Sequence, residues 1–352
     1  MRIKTIKQIK RFAYSILALN YLLSEERRYH SGSKLTQKVL WLTRGFTSEK
    51  HVLYNFQENN YKNYLSDYHS RKASIINGKY SIILNDKILF DTILSNENVT
   101  PIIYGKIIKG QIYKDNTKIN IDSFLKLVES KQKIIIKVFN GTGGNGVHRI
   151  EFVNDAYYLD DMEINSDQIT KFIENLDYYL IMEHLVQADY SNKIYPGTIN
   201  TIRIITMIDP KTNEIIIPIA VHKFGSDKTK PADNVWKGGM TAQVDLKTGQ
   251  IKRPALHLDK NKKIEWKEFH PDTGVKIEGT IIPNWNEILN ELRYIARKMD
   301  YIKYIGWDIV VTNNGIKIIE GNTCSDVNIL QIHEPLLGKQ EVRDFYRYYG
   351  VL

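Results

Sequence analysis

From Gly306 to Asn322 the chain reads Gly-Trp-Asp-Ile-Val-Val-Thr-Asn-Asn-Gly-Ile-Lys-Ile-Ile-Glu-Gly-Asn, two apolar β runs around the turn signal Asn313-Asn314-Gly315. A turn centred on Asn314 sets Asp308 opposite Glu320, since the two are equidistant from it. Cross-strand partners share a face with Cβ atoms about 5 Å apart. Asn322, two residues beyond Glu320, returns to that face. Two carboxylates and an amide then converge among Ile309, Ile318 and Ile319. Carboxylates buried side by side repel and lose hydration unless a cation lies between them. An all-oxygen donor set suits Mg²⁺, with Mn²⁺ as the alternative ion. A surface hairpin with solvated acids is the competing reading, and it leaves the apolar flanks unexplained.

The second strong signal is Lys137-Val-Phe-Asn-Gly141-Thr142-Gly143-Gly144-Asn-Gly146-Val147. Glycines let backbone N–H groups close on phosphate oxygens without obstruction by a Cβ. The spacing fits G-x-G-x-x-G, but a dinucleotide turn needs a helix next, and here a β pattern follows through Val153. A P-loop needs Lys-Ser/Thr after its last glycine, where this chain has Val147-His148. The protein-kinase motifs H-R-D and D-F-G are missing too. The loop is therefore expected to close a hairpin, with Lys137 at the end of the strand before it.

Around these motifs, residues 1–70 carry helical periods. Strands are expected at Thr100–Tyr104, Lys133–Phe139, Val147–Val153, Tyr179–Glu183, Thr201–Ile208, Ile215–His222, Ala242–Asp245, Ile305–Val311 and Ile316–Glu320. Helices are expected at Asp122–Ser130, Ser166–Leu176 and Trp285–Met299. The order implies a mixed, largely antiparallel α+β chain.

The net charge of +9 is concentrated at one end. Residues 1–50 hold eleven Lys/Arg against three Glu, a balance of +8, so the remainder is nearly neutral. No base-reading or stacking motif accompanies the charge, so nucleic acid is not an expected partner. A basic, partly amphipathic leader instead suits an anionic membrane surface. The alternative is that its stripe Ile3, Ile6, Ile9, Ala13 and Ile16 packs on the body. Neither a spanning segment nor a secretory leader is expected, and the single Cys324 gives no intramolecular disulfide. The expected compartment is cytoplasmic, with peripheral contact at the inner membrane face through residues 1–50.

Lysine, glycine hairpin loop, a strand ending in an acid (Ile181-Met182-Glu183-His184-Leu185) and Asp308…Glu320-x-Asn322 together resemble the ATP-grasp superfamily over roughly residues 85–335. Three segments are similar to its sugar-transfer-associated branch of envelope polysaccharide loci. They are Asn200-Thr-Ile-Arg203-Ile-Ile-Thr206, Asp233-Asn234 with Gly238-Gly239, and His270-Pro-Asp272-Thr followed by Gly306-Trp307-Asp308. The resemblance implies a helical region 1–84, a small subdomain 85–185 bearing the flap, and a large subdomain 186–352 bearing the metal site, clasping ATP between them. It implies that Lys87 and Lys137 meet the α/β-phosphates and that Gly141, Thr142, Gly143, Gly144 and Gly146 form the flap. Glu183, His184 and Leu185 would read adenine, and Asp189 or Gln187 the ribose. Asp308, Glu320 and Asn322 match the Mg²⁺ ligands. Arg203, with Lys223 and Asn200, matches the reacting centre, and Asp233, Asn234 and His270 fall at substrate positions by analogy. The implied reaction joins a carboxylate to an amine or hydroxyl acceptor, sugar-linked, through an acyl-phosphate. Phosphotransfer to a glycan intermediate, or nucleotide binding without chemistry, are the alternatives.

Overall fold

The computed structural model describes residues 2–28, 33–139, 146–258, 263–323 and 325–352, the side chains of 2–10, 258 and 263 excepted. Strands β1 (Ile103–Ile108), β2 (Gln111–Lys114), β3 (Thr117–Ile119), β4 (Lys133–Val138), β5 (Val147–Val153), β6 (Ala156–Leu159), β7 (Met162–Ile164) and β8 (Tyr179–Glu183) build one sheet in the order β3-β2-β1-β8-β4-β5-β6-β7. Strands β9 (Ile202–Ile208), β10 (Ile215–Ile216), β11 (Ala220–Phe224), β12 (Met240–Val244), β13 (Ala255–Leu258), β14 (Lys263–Trp266), β15 (Tyr304–Thr312) and β16 (Gly315–Asn322) build a second. Its order is β14-β13-β12-β11-β9-β15-β16, with β10 on the end of β9. Neighbouring strands in both sheets run antiparallel, as expected.

The first sheet is covered on one face. Helices Ile121–Lys131 and Ser166–Glu174 lie there, each opened by an asparagine cap, Asn120 and Asn165. Phe124, Val128, Ile169 and Ile173 meet Ile134, Ile136, Ile150 and Ile181. The two-residue period of the strands leaves Ile135, Lys137 and Val147 on the opposite, open face. Strands β13 and β14 were not expected, and neither were the short hairpin strands β2, β3, β6 and β7. Their turns, Asp115-Asn116, Asn154-Asp155 and Asp160-Asp161, hold both residues at φ between 46° and 71°. That conformation matches the twist of a tight hairpin, and Asn and Asp tolerate it.

The second sheet is covered on both faces. Helix Trp285–Lys298 buries Leu289, Leu292 and Ile295 with Ile204, Trp307 and Ile309. Helix Gln340–Tyr348 buries Phe345 and Tyr346 with Ile205, Met207, Val221 and Tyr304 on the other side. The expected strand Ile215–His222 is broken into β10 and β11, because Pro218 between them has no N–H for a ladder.

The cores cut across the expected boundaries at 84/85. Leu84, Phe90, Leu94 and Val99 pack beneath the second sheet, so helix Lys87–Leu94 is part of that body and not of the first sheet's. The N-terminal region is helical as expected, with helices Arg2–Arg28, Leu35–Thr43, Lys50–Leu53 and Asp67–Lys72, but it has no separate core from residue 65 onward. Leu65, Ala73 and Ile76 complete the core under helix Gln340–Tyr348. The Asn77 amide brackets the Tyr304 backbone, donating to its carbonyl at 2.6 Å and accepting from its N–H at 3.0 Å. Of the expected stripe on the first helix, Ala13 and Ile16 are exposed, the side chains of Ile3, Ile6 and Ile9 lie outside those described, and Ala18 and Leu22 are buried positions.

Candidate active site

Register places a row of charges across the second sheet. Arg203 on β9 is the cross-strand partner of Asp308 on β15, which is in turn the partner of Glu320 on β16. Arg203 grips Asp308 with both arms, Nε to Oδ1 at 2.6 Å and Nη2 to Oδ2 at 2.8 Å. Lys223 Nζ stands 3.4 Å from Asp308 Oδ2 and 3.6 Å from Asp233 Oδ1. The other oxygen of Asp233 accepts from Thr201 N–H and Oγ1 at 2.8 and 2.6 Å, which ties the loop after β11 to the start of β9. Burial alone would raise the Asp308 carboxyl, but Arg203 and then Lys223 hold it well below the usual carboxylate range. Burial opposes the Lys223 ammonium too, and Asp233 and Asp308 overcome it. One polar atom of this buried cluster, Arg203 Nη1, has no hydrogen-bond partner among the described residues.

The expected pairing of Asp308 with Glu320 is met by a different route. The turn is two residues long, Thr312 pairing with Gly315, which alone would set Asp308 against Ile319. A register shift between Asp308 and Ile309 absorbs one extra residue on β16 and brings Glu320 opposite. Asn322 shares the face as expected, its Nδ2 at 3.4 Å from Glu320 Oε1.

This row floors one end of a cavity of about 300 Å³ between the two sheets. Ile103, Ile135, Val147, Leu180, Met182 and Ile318 make its apolar walls. Lys87, Lys137, Arg203 and Lys223 supply cations at the polar end. Lys137 Nζ lies 3.9 Å from Glu320 Oε2, joining the sheets through charge. Lys87, at the first turn of its helix behind the Asp86 cap, donates from Nζ to the Phe139 carbonyl at 2.8 Å. Burial, and then the neighbouring Lys137, lower its pKa to about 8. The glycine segment closes the β4–β5 hairpin, with Lys137 paired to Val147 and Val138 N–H bonded to Gly146 O at 3.1 Å. Gly146 takes φ +66°; Gly141, Thr142, Gly143 and Gly144 lie outside the described residues.

The sequence profile of the sugar-transfer associated ATP-grasp family matches residues 66–343, more than three quarters of the chain. The chain belongs to this family. No curated protein matches. Solved structures similar to it include an ATP-grasp ligase, PsnB, complexed with minimal precursor, 12% identical over 71% of this chain with a TM-score of 0.36. Another is the D-alanine–D-alanine ligase of Bacillus anthracis, 14% identical over 76% of this chain with a TM-score of 0.38. The chain spans 56% and 69% of their respective lengths.

Within this ATP-grasp chain several expected site residues stand apart from the cavity. Asn200 is consumed by structure: Nδ2 donates to Tyr195 O at 2.8 Å and Oδ1 accepts from Gly225 N at 3.1 Å. Gln187 is committed likewise to Tyr195 O, Thr198 O, Ser191 Oγ and Asn200 N, which removes it as a ribose ligand. Asp189 is exposed and exchanges hydrogen bonds with Asn313. His270 lies on Tyr195 with 4.7 Å between ring centroids and holds the Gly225 carbonyl at 2.8 Å. It braces the loop after β11 and does not line the cavity. Glu183 and Leu185 do line it, whereas His184 does not. Glu183 N–H is already bonded to Ile102 O at 2.8 Å. Asp233 and Asn234 line the polar end with Arg203 and Lys223.

Trp236 and Asp326 are among the lining residues that escaped the sequence reading. Trp236 donates from Nε1 to Asp326 Oδ2 at 2.8 Å, and both face the cavity beyond Lys223. Each lies in a segment without period, so no repeat betrayed it. Trp236 also packs on the N-terminal aromatic cluster of Trp41, Phe46, Tyr54 and Tyr64. Among the described residues no three His, Cys, Asp or Glu side chains gather as a metal site. The candidate set is two carboxylates and an amide. Oxygen-only donors fit Mg²⁺, which completes its shell with water and phosphate oxygens.

Proposed function

We propose that this protein is an ATP-dependent carboxylate–amine ligase that forms an acyl-phosphate and modifies a cell-surface polysaccharide or its precursor. The observation that carries the reading is the polar end of the cavity, where four cations and the acids Asp308 and Glu320 meet beneath an apolar slot. The slot suits a purine, with Glu183 and Leu185 at its edge, and Lys87 and Lys137 suit the α/β-phosphates. Asp308, Glu320 and Asn322 would hold Mg²⁺, which supplies charge neutralisation at the outer phosphates. Asp308, already held by Arg203 and Lys223, would be one of its ligands.

Phosphoryl transfer to a carboxylate needs positioning and charge stabilisation more than a protein nucleophile. Arg203 keeps Nη1 for an anionic oxygen, and Lys223 stands beside it. The acceptor belongs on the far side of these two residues, where Asp233, Asn234, Trp236 and Asp326 form the wall. An aromatic face with carboxylates and an amide around it suits a hydroxylated ring, which agrees with a sugar-linked acceptor. The synthesis of such precursors on the cytoplasmic side is the setting we assign.

Incubation with ATP, Mg²⁺, candidate sugar acids and hydroxylamine tests the reading. A hydroxamate with ADP is expected, and Arg203→Ala should slow its formation by about 10²–10³. ADP with a stable phosphorylated glycan and no hydroxamate would replace the ligase with a phosphotransferase. AMP as product would refute both.

A further inference from the structure

We propose that the first two helices form a docking face for an anionic lipid surface. Among its described side chains, helix Arg2–Arg28 is fastened to the body along one side. Ala18 and Leu22 are buried, the helix packs on Asp67–Lys72, and Glu26 accepts from Ser48 N and Oγ at 2.6 and 2.7 Å. Tyr21 lies under the Arg71 guanidinium at 5.3 Å. On another side, Phe12, Ile16, Leu19 and Leu23 recur at i, i+4, i+7 and i+11 and so form one stripe. They are 69, 45, 48 and 38% exposed. Helix Leu35–Thr43, joined to the first through Lys38 and Glu26 at 3.9 Å, adds Leu35 and Val39, 76 and 53% exposed.

Charge selects the occupant. The first 24 residues contain Arg2, Lys4, Lys7, Lys10 and Arg11 and no acid. So concentrated a positive charge beside an exposed apolar stripe is complementary to an acidic headgroup layer. At 27 residues the helix is about 40 Å long. No helix among the described residues is long and apolar enough to cross a bilayer. The arrangement is that of a helix lying in the interface plane, its apolar stripe among the acyl chains and its cations at the headgroups. The face does not line the cavity, so the proposal stands apart from the proposed reaction.

The test is sedimentation of the full chain with vesicles of phosphatidylcholine alone or mixed with phosphatidylglycerol. Binding is expected only to the mixed vesicles and should fall steeply with added salt. Phe12→Ser with Ile16→Ser and Leu19→Ser should weaken it at least about tenfold, as should Lys4→Glu with Lys7→Glu and Lys10→Glu. These positions are exposed or precede the packed turns, and circular dichroism checks that the variants fold. Equal binding to both vesicle types, or unchanged binding by the variants, overturns the proposal. Concentration-dependent dimers in lipid-free ultracentrifugation that Phe12→Ser with Ile16→Ser abolishes would assign the stripe to a second copy and overturn it too.

Discussion

The two sheets are alike in strand number and antiparallel sense, yet they treat charge in opposite ways. The first is roofed by helices on one face and meets the cavity with the other, so Lys137 and its neighbours stay partly solvated. The second is sandwiched between two cores, and it holds Arg203, Lys223 and Asp308 almost without water. A sheet covered on both faces can fix a buried ion cluster in one geometry, because strand register and packing leave its members no alternative positions. A sheet covered on one face can accept a ligand without unpacking anything. On the proposed reaction, the division would give one wall for binding and one for chemistry.

The contrast breaks first at Asp308. Asp308→Asn strips buried Arg203 of its counter-charge and leaves Lys223 with Asp233 alone, and should cost about 3–5 kcal/mol in urea unfolding. In the wild type this contribution is present above about pH 4, the ordinary value of an unfolded aspartate, and is lost as acid approaches the depressed folded pKa. A loss below about 1 kcal/mol would mean that the cluster is solvated after all.

Gly306 probes the rigidity of the same sheet. A Cβ there would meet Ser325 Oγ at 1.6 Å and its Cβ at 2.8 Å. Gly306→Ala should therefore destabilise by about 1–3 kcal/mol, with Ser325→Gly restoring part of the loss. Thermal melts of the single and double variants measure this coupling, and additive effects would show that the strand yields instead.

Lys87 sharpens the comparison from the border between the sheets. Its pKa of about 8 predicts that polyphosphate, which favours the ammonium, binds more weakly as pH rises past that value, by up to about tenfold per unit. Lys87→Arg stays charged and should flatten the profile. Calorimetric titration with ADP between about pH 7 and 10 reads it, and a flat wild-type curve would detach Lys87 from the phosphates.

The smallest effect belongs to the open face. Lys137→Met should move unfolding stability by no more than about 0.5 kcal/mol while weakening ADP binding, since its ion pair with Glu320 is long and partly solvated. A stability loss as large as that of Asp308→Asn would erase the distinction.

Much of this architecture was legible. Period-two patterning located β5 and β8 to the residue and the ends of β4, β9, β15 and β16 within two, because their apolar faces are buried. The Asp308–Glu320 pairing was reached through a turn centred one half-step off, and a bulge in β16 that no pattern announces made it correct. Six strands were missed, and four of them, β2, β3, β6 and β7, owe their existence to turns such as Asp115-Asn116, a signal present in the sequence but outweighed by polar flanks. Asn200 and Gln187 misled for a physical reason: a buried amide must satisfy its donors and acceptor, and here the loop's own backbone does so. Trp236 and Asp326 were invisible because only tertiary contact places them together.

The bracket formed by Gln331 on the Leu65 backbone, donating at 3.0 Å and accepting at 2.7 Å, spans 266 residues of sequence. Tyr54 Oη likewise reaches Asn328 at 2.7 Å. On the ribosome, residues 45–77 therefore emerge long before the segment that completes their core. At about 5–20 residues per second that wait lasts roughly 13–50 seconds, with Leu65, Ala73 and Ile76 lacking their partners on helix Gln340–Tyr348 throughout. Synthesis thus leaves the start of the chain dependent on its end, an interval in which a chaperone has apolar surface to hold.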